Sequence, residues 1–211
     1  MKYCVKIIAC LIFITLLCTA VCSCRKNTDS NDNSLQADLD YSDINPMEYI
    51  ENTTYIGLTV TLDSTDQSRE DALWGAILEN TNITSYPEEK VEYYFQQEKA
   101  YYMYLVKNDE KDYQALLSLR GVSEEEMRED ARRMVAKDLI YRFVVDAENI
   151  ALTEDEKTQL FDRYAEKYVA DYGYTKGYVT ENMSDMVYQT MLYDKTMEYL
   201  ILKNTFIIPN E

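Results

Sequence analysis

Histidine is absent from all 211 residues. Its absence removes the Ser-His-Asp and Cys-His machineries of nucleophilic catalysis and every histidine-ligated metal site. Cysteine is confined to the start: all five stand within residues 1–24. The chain beyond has no disulfide to form and no thiol for catalysis or zinc, so it must hold together by packing alone. Proline and glycine are scarce, at three and five residues, which suits long helices joined by short loops. Basic residues number 21 against 38 acidic ones, a net charge of −17. Phosphate backbones and anionic lipid headgroups both repel such a chain, which argues against nucleic acid or a basic patch on a membrane as partner. The acids are scattered along helical segments and read as solvated faces rather than a paired-carboxylate active site.

Long apolar runs are missing as well, save one from Ile7 to Val21. Lys2 and Lys6 precede it, and the chain turns polar at Arg25, which is the layout of a secretory signal peptide. The run is short for a spanning helix, which needs about 20 apolar residues. Val21-Cys22-Ser23-Cys24 places a small residue before a cysteine, so residues 1–23 read as a lipoprotein signal peptide with Cys24 as the lipid attachment site. Cys22 is the alternative, with Val21 as the poorer residue before a cut. An uncleaved anchor and a signal peptide without lipid are the competing readings. The expected location is the extracytoplasmic face of a cell membrane, reached through the lipid. Removing 23 of the 211 residues would leave 188, and loss of Lys2 and Lys6 would take the net charge to −19.

Residues 24–46 contain almost nothing apolar and read as a disordered tether. At about 5–6 Å × √n, such a tether would hold the following domain roughly 25 Å from the lipid. Residues 47–69 read as an extended linker, with one short strand at 55–62 where Tyr-Ile-Gly-Leu-Thr-Val-Thr-Leu alternates β-branched and apolar residues. From residue 69 the helical period takes over, and residues 70–206 read as an all-α, multi-helix domain. A short helix carries Trp74, Ile77 and Leu78. A second opens at Ser85-Tyr86-Pro87-Glu88, with Ser85 as the cap, and a short third around 113–119 stops at Gly121. Capping boxes at Ser123-Glu124-Glu125-Glu126 and Thr153-Glu154-Asp155-Glu156 open two more. The first leads a row of Met127, Ala131, Val135, Leu139, Phe143 and Ala147 at i+4 spacing. Gly173 and Gly177 are expected to bracket a loop, Thr180 to cap the last helix, and Ile207-Ile208-Pro209 to end the chain extended.

Leu73-Trp74-Gly75-Ala76-Ile77-Leu78-Glu79-Asn80, followed by Thr84-Ser85-Tyr86-Pro87-Glu88-Glu89-Lys90-Val91, resembles the start of the C-terminal domain of bacterial trigger factor, and trigger-factor-like lipoproteins in particular. Ser123-Glu124-Glu125-Glu126-Met127-Arg128 and the step from Ala147 to Glu156 follow in the family's order. The resemblance covers about residues 70–206. Each motif alone is generic capping chemistry, and the specificity lies in their order and spacing. It implies a SurA-like, peptide-binding helical domain that cradles unfolded or nascent exported polypeptides without ATP, cofactor or metal. Nothing here resembles the family's ribosome-docking loop, and no room is left for its FKBP-type prolyl-isomerase domain, so neither ribosome binding nor catalysis is expected.

The chain has 20 tyrosines and 9 methionines. Tyrosine supplies a rigid amphipathic face and methionine a flexible one, both suited to reversible contact. Tyr93, Tyr94, Tyr101, Tyr102 and Tyr104 spread over more than half a helix circumference, so one buried face cannot take them all. They are the candidate client-binding residues. The plainer alternative is that they pack between helices with their hydroxyls at the rim. A functional alternative of another class is a non-catalytic adaptor or subunit that holds one defined partner at the membrane.

Overall fold

The computed structural model describes residues 44–208. A single 3-10 turn at Pro46–Glu48 leads into β1 (Ile50–Thr53) and β2 (Thr59–Thr61). Then come α1 (Arg69–Glu79), β3 (Thr81–Ile83), α2 (Glu88–Leu105), α3 (Glu110–Arg120) and α4 (Glu124–Ala147). Finally α5 (Glu154–Tyr172), α6 (Lys176–Asn182), α7 (Ser184–Lys203) and β4 (Thr205–Ile207) complete the described chain. The fold is mostly helical, as expected.

Local chemistry sets the helix ends. The Glu126 amide donates to Ser123 Oγ at 3.2 Å and the Ser123 amide to Glu126 Oε2 at 2.8 Å, closing a capping box on α4. Thr153 and Glu156 repeat it on α5, at 3.2 and 2.7 Å. Gly121 and Gly173 stop α3 and α5 at φ of 63° and 70°, which costs a glycine nothing.

Several expected boundaries move. Helix α2 begins only at Glu88; Pro87, not Ser85, precedes it, and no side chain caps it. Glu88 and Glu89 in its first turn supply the negative charge that a helix start favours. Gly177 lies inside a helix rather than closing a loop, because the Thr175 hydroxyl caps α6 through the Tyr178 amide at 3.2 Å. Thr180 therefore sits within α6, its hydroxyl donating to the Lys176 carbonyl, and α7 starts after Met183.

The expected strand at 55–62 shrinks to β2, and three more short strands accompany it in two separate pairs. β1 pairs antiparallel with β3, Ile50 opposite Ile83, and β2 pairs parallel with β4, Val60 opposite Phe206. Residues 47–69 are not a bare linker: Ile50, Val60 and Leu62 are buried. Pro46, placed in the tether by composition, is buried too, and Ile44 packs on the core.

Two cores result. The larger gathers Leu73, Trp74, Ile77, Val91, Phe95, Tyr113, Leu117, one face of α4, and Met197 and Leu200 of α7. The buried line on α4 follows Met127, Ala131, Val135 and Leu139, then shifts to Ile140 and Val144. Each i+4 step advances about 40° around a helix of 3.6 residues per turn, and Ile140 and Val144 lie further round in the same sense, so α4 is buried over a wide arc rather than along one straight row. Phe143 is left half-buried, edge-on to Tyr55 at 5.9 Å. The smaller core holds Tyr164, Ala165, Val179, Val187 and Met191 from α5, α6 and the first half of α7.

Candidate polypeptide-binding surface

The five candidate tyrosines of α2 do not share one environment. Tyr94 lies against the larger core, and its hydroxyl donates to Asp138 Oδ2 on α4 at 2.6 Å. Tyr93 is half-buried and meets Tyr94 edge-on at 5.6 Å. Tyr101 and Tyr102 form a similar edge-on pair at 5.8 Å, with Tyr102 packed on the core. Tyr104 alone of the five points mainly to water, 64% exposed. The helix thus divides its tyrosines by face: 94 and 102 toward the larger core, 104 away.

Tyr104 has apolar company. Leu105 is 42% and Leu119 84% exposed. Leu105, Val106, Ala115, Leu116 and Leu119, together with Lys107 and Asp112, line an open hollow of about 470 Å³ where α2 turns into α3. The turn itself is tight: Lys107 and Asn108 both take positive φ, and the Asn108 amide returns to the Met103 carbonyl at 2.8 Å. The Asp109 carboxylate then caps α3 by accepting from the Asp112 amide at 3.0 Å.

What fixes this corner is the opposite face of α3. Tyr113 is fully buried and donates from its hydroxyl to Glu124 Oε1 at 3.0 Å. Lys99 of α2 reaches the same oxygen at 2.8 Å and lies over the Phe95 and Tyr113 rings. The Lys99 ammonium, and then the Tyr113 hydroxyl, hold the Glu124 carboxyl below the usual carboxylate range. Burial pushes the Tyr113 phenol up, with the Glu124 carboxylate adding to it. Anchored there, α3 must turn Leu119 outward.

Leu119 was not singled out from sequence. The available signal was an excess: Tyr113, Ala115, Leu116, Leu117 and Leu119 are more apolar positions than one face of a short helix can bury. Cys24 lies outside the described residues. Among the described residues no helix is long and apolar enough to cross a membrane, and no group of three or more Cys, Asp or Glu is placed to hold a metal ion.

The described residues thus form a helical body with an exposed apolar corner at the α2–α3 turn, anchored from beneath by Tyr113, Glu124 and Lys99. The family model described as bacterial trigger factor protein C-terminus matches residues 61–202, from the end of β2 to the last turn of α7, and the chain belongs to that family. No curated protein and no solved structure matches the chain. Membership carries chaperone-like binding of polypeptides as the general role of this domain.

Proposed function

We propose that the protein is an exported, lipid-anchored member of this family that holds unfolded polypeptides transiently at a membrane surface, without ATP and without catalysis. The observation that carries the reading is the exposed pair Leu105 and Leu119 around the hollow at the α2–α3 turn, with Tyr104 exposed on the same last turn of α2. Exposed apolar groups brought together mark interaction sites. Fully burying a leucine stabilises a complex by about 1.5–3 kcal/mol, enough for useful but reversible affinity. The location rests on the N-terminal sequence, with Cys24 as the acylated residue. The non-catalytic reading rests on the match being to the family's C-terminal domain, and on a composition, with no histidine anywhere and no cysteine past residue 24, that removes histidine- and thiol-based sites.

The test uses reduced, carboxymethylated lactalbumin, a permanently unfolded chain, titrated against the full-length protein. Wild type binds it without nucleotide. Replacing Tyr104 and Leu119 together with serine weakens binding roughly tenfold, the worth of one well-buried side chain, and leaves the melting temperature in place. Wild type that fails to bind, or a double variant that binds as tightly as wild type, defeats the reading.

A further inference from the structure

The smaller lobe carries a second aromatic surface. Tyr168, Tyr172, Tyr174 and Tyr178 run as a ladder from the last turns of α5 into α6, with successive ring centroids 5.6, 6.1 and 5.2 Å apart. Tyr168 and Tyr172 stand one turn apart on α5. Gly173, in the left-handed region, redirects the chain so that Tyr174 meets Tyr178 in a stack with 22° between planes. The inner end is anchored, the Tyr168 hydroxyl sharing a hydrogen bond with that of Thr190 at 2.7 Å. The outer end is open: Tyr178 is 47% exposed, with one face on Tyr174 and the other outward.

The charges around this ladder are lopsided. Every cation of α5 and α6 is engaged within the lobe or its neighbours. Lys157 pairs with Glu154 at 2.7 Å, and Lys176 pairs with Asp162 at 3.1 Å. Arg163 and Lys167 lie over the Tyr164 ring, at 5.3 and 4.6 Å from its centroid. Asp171, three residues after Tyr168, and Glu181, three after Tyr178, make no ion pair among the described residues. Residues three apart on a helix are neighbours, so Glu181 stands beside the exposed ring. A tyrosine face flanked by an unpaired carboxylate attracts a cation twice over, through the ring quadrupole and through charge. The lobe already uses the first attraction internally, on Tyr164.

We infer that this ladder is a docking strip for arginine- and lysine-bearing stretches of an extended polypeptide, with a cation over the outer face of Tyr178 and Glu181 beside it. The inference rests on the polypeptide-binding reading above and adds a second contact with its own chemistry. The α2–α3 corner would take apolar residues of a client and the α5–α6 ladder its cations.

Three fluorescent peptides of the same length and apolar content test it against the full chain by anisotropy. One carries arginine, one glutamate and one serine at the same alternating positions. The arginine peptide binds tightest, and its advantage shrinks at high salt. Tyr178→Ser and the isosteric Glu181→Gln each cut the arginine peptide's affinity about two- to fivefold and spare the serine peptide. Glu88→Gln on α2, an equal change in net charge, keeps the preference. Helical circular dichroism confirms that both ladder variants fold. An arginine preference that survives Tyr178→Ser and Glu181→Gln combined, or no preference in wild type, overturns the ladder while leaving the corner standing. Failure of all three peptides to bind wild type overturns the polypeptide-binding reading itself.

Discussion

Lys195 of α7 clasps the residue that starts α5: its Nζ lies 2.7 and 2.8 Å from the two carboxylate oxygens of Glu156 and 2.8 Å from the Ala151 carbonyl. Glu156 is the inner member of the α5 capping box, so one carboxylate both opens the helix and ties it to α7. The Lys195 ammonium, and then the Thr153 amide and hydroxyl, hold the Glu156 carboxyl down at about 2. A depressed carboxylate contributes stability that is present above its unfolded value, about 4.3, and is lost as pH falls through the folded value. The expected outcome is an acid-sensitive stability between about pH 4.3 and about 2 that Lys195→Met reduces. Urea titrations of both proteins across that range check it, and identical acid limbs would refute the clasp.

At high pH the tyrosines dominate. Tyr55 and Tyr141 are pushed up to about 12, by burial first, with the Glu148 carboxylate adding to the effect at Tyr55. Burial raises Tyr113 and Tyr193 further, and the Glu124 and Glu70 carboxylates that accept from their hydroxyls add to it. The folded state therefore favours neutral phenols. The stability they contribute is complete below the ordinary value of 10.0 and is lost as pH rises toward and through the folded values. Tyrosinate absorbance followed alongside circular dichroism should resolve a group that ionises with the helices intact and a later group that ionises as they melt. A single ionisation step with unchanged helicity would contradict the burial of these hydroxyls.

Two tyrosines ten residues apart on α2 should respond in opposite ways. Tyr94→Phe removes one hydrogen bond to the half-buried Asp138 carboxylate, at a cost of about 1.5–3 kcal/mol. Tyr104→Ser, at a site facing water, stays within about 0.5 kcal/mol of wild type. Chemical unfolding of both variants separates the core share of the helix from its surface share. Equal losses would mean that Tyr104 is also structural.

Leu139 is fully buried in the middle of α4. Leu139→Ala should cost about 2–5 kcal/mol, the transfer loss plus a cavity that the surrounding helices fill only in part. With net stabilities of about 5–15 kcal/mol for a typical domain, the variant folds but melts well below wild type. A thermal melt within a degree or two of wild type would place the core elsewhere.

Cys24→Ala should abolish metabolic lipid labelling and leave either an unprocessed precursor or protein released from the membrane fraction. Labelling that survives Cys24→Ala and disappears in Cys22→Ala moves the site by two residues. A processed chain that begins at neither cysteine removes the lipid from the account.

Local signals were legible because they are written within a few residues. Ser123 with Glu126, Thr153 with Glu156, and Gly121 each fix a helix end through bonds across three or four positions, and the helices stand where those residues put them. The burial of Met127, Ala131, Val135 and Leu139 follows from period alone. Pairings across the chain left no such mark. β2 and β4 are joined by bonds such as the Thr205 amide to the Leu58 carbonyl, and no local pattern near Thr59 announces a partner so far along the sequence. The tyrosines were harder for a related reason. Tyr94 and Tyr104 are chemically identical on one helix, and what separates them is the tertiary packing that sets Tyr94 against the larger core with Asp138 of α4 as its acceptor. Leu119 escaped notice because its exposure is a by-product of Tyr113 being held inside.

Helix α7 gives Val187 and Met191 to one core and Met197 and Leu200 to the other. A single unbroken helix therefore belongs to two cooperative units of unequal size. Local opening draws on the weaker unit first, so amide hydrogens in the first half of α7 should trade with solvent alongside α5 and α6. Those of its second half should wait for the larger body to unfold. The frontier falls between Met191 and Tyr193, just before the Lys195 clasp. A ligand seated on the smaller lobe would then slow exchange in half a helix and leave the other half untouched.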